Sequence, residues 1–151
     1  MTVKVFIDTN VLIYARDRQA SAKALTCQAW LKALAKRSCM TMSLQVLNEC
    51  YSVLRQQLGE GPVLKAERGF LAGLRTLATA PFDLDNLDIA WTVQDRYQTS
   101  WWDGLILSSA VRAGCTHLLS EDSQGSDVIE GVRIVDPFAK TPEEFVAGLS
   151  A

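Results

Sequence analysis

The sequence predicts an α/β domain of three layers, with a central parallel sheet between helices. Three observations predict it. Short, β-rich apolar runs, VKVFI (3–7), CMTM (39–42), HLLS (117–120) and VRIV (132–135), alternate with longer stretches of helical periodicity, the pattern of βα units. A chain of 151 residues, 48% apolar and 21% charged, is long enough for one domain burying roughly 70% of its unfolded-chain surface, and too short for two ordinary domains. No repeat, low-complexity tract or long linker divides it, so residues 1–138 read as one domain and 139–151 as a C-terminal tail.

VKVFI ends at Asp8, and one of Asp8, Thr9 and Asn10 caps a short helix over VLIYA. Ala24, Leu25, Trp30, Leu31 and Leu34 recur at helical spacing within 20–37. CMTM reads as a short strand, and Ser43 as the N-cap of a helix reaching about Leu58. Gly59-Glu60-Gly61-Pro62 is a break, with Pro62 placed to open a helix to about Leu77. After the extended link Pro81-Phe82-Asp83-Leu84, the positions of Leu87, Ala90, Trp91, Val93 and Tyr97 predict a helix over 86–98. Another spans 101–113, ends near Gly114 and feeds HLLS; SEDSQGSD (120–127) is loop-like, and VRIV is the last strand. In the tail, Thr141, Pro142 and Glu144 form a capping box with proline at the first helical position, predicting a short helix to about Leu149.

Fifteen Lys and Arg oppose seventeen Asp and Glu, a net charge of −2, which argues against a strongly basic, non-specific nucleic-acid binder. The charge is unevenly spread. Residues 1–75 hold 11 basic and 5 acidic residues, net +6, and residues 76–151 hold 4 and 12, net −8. That asymmetry fits a polyanion-facing surface beside a metal- or partner-binding one, and equally fits unevenly charged solvent faces. Cys27, Cys39, Cys50 and Cys115 stand apart in apolar stretches with no CxxC pair, and so read as core residues and not as a zinc site or disulfide framework. His117 is the only histidine; it excludes chemistry that needs a histidine pair and reads as a packed strand residue. Neither GxxxxGK(S/T) nor GxGxxG is present, which removes support for nucleotide-cradling folds. With no visible signal peptide and no run near the ~18 apolar residues that cross a bilayer, the expectation is a reduced, cytoplasmic protein without a membrane partner.

In open parallel sheets, ligands gather beyond the carboxyl ends of the strands. Asp8 follows VKVFI, Asp122 follows HLLS by two residues, Asp103 opens the helix leading to that strand, and Glu49 lies near the start of the helix after CMTM. Four carboxylates converging on one rim repel one another unless a divalent cation neutralises them. Hard oxygen donors without His or Cys point to Mg²⁺ or Mn²⁺. Such an ion activates water and stabilises charge on a phosphodiester, and two of them ~3.5–4 Å apart clamp the attacking and leaving oxygens. Each acid also has a local reading: Asp8 and Asn10 as helix caps, Asp103 within Ser100-x-x-Asp103, Glu49 as a solvated helix residue, and Asp122 as a turn residue.

The segments FIDTNVLIYA (6–15), SLQVLNE (43–49), WWDGLILSSAVRAG (101–114) and LLSEDSQGSDVIEGVRIVDPF (118–138) resemble the PIN-domain ribonucleases, especially the VapC-like toxins of bacterial toxin–antitoxin pairs. They span nearly the whole domain in the family's order. The resemblance implies catalytic, metal-binding roles for Asp8, Glu49, Asp103 and Asp122. It places Thr9 or Asn10 in shaping the first loop, and Ser120 where the family commonly has a hydroxyl residue two before the last acid. It also implies hydrolysis of single-stranded RNA to 5′-phosphate and 3′-hydroxyl ends, and a cognate antitoxin protein lying across the acidic site. Gly104 stands where the family often has Ala, VDPF replaces VNPF, and the tail is an addition.

Arg16 and Arg18 follow the first motif closely enough to reach phosphates flanking the cut, with Lys23, Lys32, Lys36 and Arg37 extending that surface; ordinary exposed helix-end arginines fit the same positions. Apolar residues of the 43–58 and 62–77 helices suit a homodimer interface or the core. Two other readings stand beside the ribonuclease. One is a PIN-like module that binds RNA or protein without cutting. The other is an acid-pocket phosphatase or receiver domain, but Asn10 occupies the second acid of a DxD motif and Lys140 is the only late lysine.

Overall fold

The computed structural model describes residues 2–121 and 128–149. Strand β1 (Val5–Ile7) has all three side chains buried, as an interior strand covered on both faces requires. It pairs in parallel with β2 (Met40–Thr41) on one side and β3 (His117–Leu119) on the other, Val5 standing opposite Met40 and His117. β3 pairs in parallel with β5 (Val132–Val135), which pairs antiparallel with β4 (Val128–Ile129). The order across the sheet is β2-β1-β3-β5-β4. The α/β class and parallel sheet expected from the sequence are present, with one addition. β4 is too short to show an alternation in the sequence. Glu130 and Gly131, at φ 49° and 83°, make the paired positive-φ turn that joins two strands as a tight hairpin.

Seven helices are described: α1 (Thr9–Ala15), α2 (Ala22–Lys36), α3 (Leu44–Leu58), α4 (Pro62–Gly73), α5 (Asp85–Tyr97), α6 (Trp101–Arg112) and α7 (Pro142–Leu149). They pack in two groups. α1 lies against α2 and α3, with α4 on α3 and α7 on α2; α5 and α6 lie along each other, and α6 covers β3 and β5. Helix starts follow local chemistry. The Ser21 hydroxyl accepts from the Ala24 amide, Pro62 occupies the first turn of α4, and the Thr141 hydroxyl accepts from the Glu144 amide. Ser43 precedes α3 as expected, yet its buried hydroxyl makes no cap bond.

α4 stops four residues before the predicted Leu77, and a 3-10 turn follows over Arg75–Leu77. The reason is tertiary. The Leu77 carbonyl accepts from the Met42 amide and Ala80 donates to the Met42 carbonyl, so residues 77–80 close the outer side of β2 and shield that sheet edge.

The sheet and helices enclose a core that includes Phe6, Ile7, Leu12, Trp30, Leu34, Met42 and Leu119. All four cysteines are buried free thiols, and burial pushes those of Cys50 and Cys115 up to about 12. The tail is part of this packing. Trp30 donates to the Pro137 carbonyl at 2.9 Å, and Phe145 of α7 meets the rings of Trp30 and His117 at 5.5 and 5.0 Å.

Helix α6, which carries Asp103, is held tightly against α5. Asn86 of α5, 1% exposed, donates to the Ser108 and Ser109 hydroxyls at 2.8 and 3.0 Å. At Gly104 a Cβ would stand 3.1 Å from the Ala90 carbonyl oxygen, so the glycine lets α5 approach one residue from the acid. Gly104→Val is expected to destabilise the fold by about 1–3 kcal/mol, the usual cost of overpacking. Urea unfolding of the two proteins measures it.

Candidate active site

Asp8 leaves the end of β1 in extended conformation and caps α1, which buries its carboxylate at the sheet rim. One carboxylate oxygen accepts from the Thr9 amide and the other from the Ser120 hydroxyl, both at 2.7 Å. Ser120 follows β3 directly, so the parallel pairing of β1 and β3 brings these two residues together. Burial is the largest influence on Asp8 and raises its pKa from 3.8 to about 6. The two hydrogen bonds oppose that rise, and the charges of Asp103 and Glu49 add to it.

Glu49 comes from α3 and is held from both sides: the Thr9 hydroxyl donates to one oxygen at 3.0 Å and Gln45 to the other at 2.9 Å. Asp103 sits in the first turn of α6, where its amide donates to the Ser100 hydroxyl at 3.2 Å. Asp8, Glu49 and Asp103 line one surface pocket together with Thr9, Asn10 and Tyr14. On the other side of Asp8 and Asp103, a second pocket is lined by Thr99, Ser100 and Ser120. The structure thus brings together three of the four acids singled out in the sequence. The fourth, Asp122, lies outside the described residues.

The PIN-domain family model matches residues 5–130, which is most of the chain. The chain belongs to the PIN-domain family. Three solved structures share its fold. A toxin–antitoxin complex from Klebsiella pneumoniae aligns at TM-score 0.62 and 18% identity, covering 89% of this chain and 98% of that one. The sarcin–ricin-loop-cleaving toxin VapC20 of Mycobacterium tuberculosis aligns at 0.58 and 18%, covering 86% and 99%. VapBC2 of Rickettsia felis, bound to a fragment of its promoter DNA, aligns at 0.60 and 15%, covering 89% and 100%. No curated protein sequence matches the chain.

PIN nucleases generally depend on divalent metal ions, and the donor chemistry of this PIN domain fits such an ion. The acids are hard oxygen donors, Asp8 carries the cost of charged neighbours, and the buried Thr99 hydroxyl in the second pocket has no hydrogen-bond partner among the described residues. Among the described residues, no group of three or more His, Cys, Asp or Glu side chains stands ready to hold a metal. Glu49 is turned to Thr9 and Gln45, one hydrogen bond on each carboxylate oxygen.

The polar residues expected at the substrate lie largely between the acids. Thr9 joins Asp8 to Glu49, and Asn10 donates to the Ser120 hydroxyl at 3.3 Å while its carbonyl oxygen accepts from the Glu121 amide at 3.4 Å. They form a frame that orients carboxylates. Arg16 is placed differently from the expectation of a phosphate contact. Its guanidinium makes two bonds to buried Glu67 of α4, at 2.7 and 2.9 Å, and stacks on Phe70 at 4.3 Å. Lys23 likewise binds Glu121 at 2.6 Å, and Tyr14 binds the same carboxylate at 2.6 Å. Arg18 lines a groove that adjoins the acid pocket through Ile13, Tyr14 and Gln57. Sequence reasoning missed Gln45, Glu67 and Glu121. Of these only Gln45 left a signal, standing one helical turn before Glu49.

Proposed function

We propose that this PIN domain is an endoribonuclease dependent on Mg²⁺ or Mn²⁺ that hydrolyses phosphodiesters of single-stranded RNA, and that it is the toxin of a toxin–antitoxin pair. The observation that carries the reading is the meeting of Asp8, Glu49 and Asp103 at one pocket on the sheet rim. Asp8, Glu49, Asp103 and Asp122 would hold the cation. Divalent ions, when bound, supply neutralisation of the phosphodiester and activation of water. The protein contributes position. Ser120 and the Thr9 amide fix the Asp8 carboxylate, and the Ser100 cap fixes the first turn of α6. Such fixed charges act without reorganisation during the reaction.

Residues 1–138 form the catalytic domain in this proposal and the tail braces it through Phe145. Arg18 is the remaining candidate for a phosphate contact after the first motif, since Arg16 is held by Glu67. Two of the similar structures are toxin–antitoxin assemblies and one is a sarcin–ricin-loop-cleaving toxin, which supports an antitoxin partner. A cytoplasmic homodimer is part of the same proposal.

Incubation of the purified protein with end-labelled single-stranded RNA tests the chemistry. Cleavage is expected in Mg²⁺ or Mn²⁺, to stop in EDTA, and to leave 5′-phosphate ends that a phosphate-specific exonuclease degrades. Undiminished cleavage in EDTA, or products ending in 2′,3′-cyclic phosphate, contradicts the reading.

A further inference from the structure

The four tryptophans occupy contrasting environments. Trp30 is core, 1% exposed, whereas Trp102 is 63% exposed and immediately precedes Asp103 in the first turn of α6. Consecutive helix positions are about 100° apart, so the Trp102 side chain leaves α6 roughly a quarter turn from the acid. Its neighbour Trp101 is stacked on Trp91 of α5, ring centroids 6.3 Å apart. That stack braces the turn on which Trp102 stands.

A second observation concerns charge. Basic side chains on the elements beside the acids are already in ion pairs: Arg16 with Glu67, Lys23 with Glu121 and Arg96 with Glu130. Among the described residues, a strand of RNA crossing Asp8 and Asp103 therefore meets cations that are mostly paired, Arg18 in the adjoining groove apart, and draws part of its affinity there from another source. Aromatic faces are that source in proteins that hold single strands. Trp91 does not suit the task, because exposed Asp88 and Asp95 stand about one helical turn to either side of it and repel phosphate.

We propose that Trp102 is a substrate-binding residue on which a nucleobase next to the scissile phosphate stacks. The inference rests on the ribonuclease reading and names how that site holds its substrate. Stacking accepts any base face, so it positions the strand more than it selects sequence.

Fluorescence anisotropy with a labelled single-stranded RNA of about a dozen nucleotides, in EDTA so that the probe stays intact, tests it on the full chain. Trp102→Ala is expected to weaken binding about 5- to 100-fold. Trp102→Phe restores most of the loss, and the salt dependence stays unchanged because no phosphate contact is removed. Leu84→Ala, an exposed residue at the start of α5, serves as the control and binds as the wild type does. A probe with abasic positions across its centre binds wild type and Trp102→Ala equally. Cleavage in Mn²⁺ shows the same variant raised in KM more than lowered in kcat. Equal binding of the intact probe by wild type and Trp102→Ala, with wild type still cleaving, overturns the stacking role and leaves the nuclease standing; this is also the outcome if the tryptophan face serves a protein partner. A wild-type protein that neither binds nor cuts RNA overturns both.

Discussion

Replacing Asp8 with Asn is expected to lower RNA cleavage by about 10³-fold or more, which is ~4 kcal/mol of transition-state stabilisation. The same change is expected to make the metal-free protein more stable at neutral pH. Asp8 is buried, and its ordinary pKa of 3.8 is raised to about 6, chiefly by that burial. Between those two values the folded state keeps a proton that the unfolded state has released, so stability falls as pH rises from about 4 to about 6. Above pH 6 the cost is fully present, and two units correspond to about 3 kcal/mol. Asn removes the charge but loses one acceptor for Ser120 or Thr9, which leaves a net gain of about 1–2 kcal/mol at pH 7. Urea denaturation of both proteins in EDTA at pH 4 and pH 7 reads this: the variant is more stable at pH 7, and the order reverses at pH 4, where the charge cost is nearly gone and the lost acceptor remains. A variant that loses both activity and stability would place Asp8 among structural caps.

Arg16→Ala is expected to destabilise the fold by about 3–5 kcal/mol. Glu67 is 4% exposed, and its only ion-pair partner among the described residues is Arg16. Truncating the arginine strands that carboxylate in the interior, between α1 and α4, and removes the guanidinium stacked on Phe70. A buried charge left without its partner costs far more than the pair is worth as a whole. The double variant Arg16→Met, Glu67→Leu should therefore recover most of the loss. Thermal melting of the three proteins measures it, and a shift of only a degree or two for Arg16→Ala would show that water reaches Glu67. The result also bears on RNA binding: a loss of affinity in an Arg16 variant reports α1 and α4 coming apart before it reports a phosphate contact.

The two cases show what a sequence can and cannot make legible here. Asp8 and Asp103 announced themselves because each stands where a strand or helix begins or ends, and in a parallel sheet those ends share a rim. Glu49 was legible by its place in the first turns of α3. The Arg16–Glu67 pair was not, since 51 residues separate its members and nothing periodic links them. The same holds for the Thr9–Glu49 and Ser120–Asp8 bonds, which exist only once the sheet order is set. β4 left no pattern in two residues. The early end of α4 was decided by the carbonyl of Leu77 meeting the Met42 amide, a tertiary contact that overrides helical periodicity. Gly104, a departure from family usage, becomes intelligible only beside the Ala90 carbonyl.

The central claim is that the acids on the sheet rim make a metal-dependent ribonuclease. Single-turnover cleavage of single-stranded RNA by wild type and Asp103→Asn, side by side in Mn²⁺ and in EDTA, tests it most directly. Wild type is expected to cleave in Mn²⁺ alone, and a folded Asp103→Asn protein under neither condition. Equal cleavage by the two proteins, or cleavage indifferent to EDTA, would contradict it.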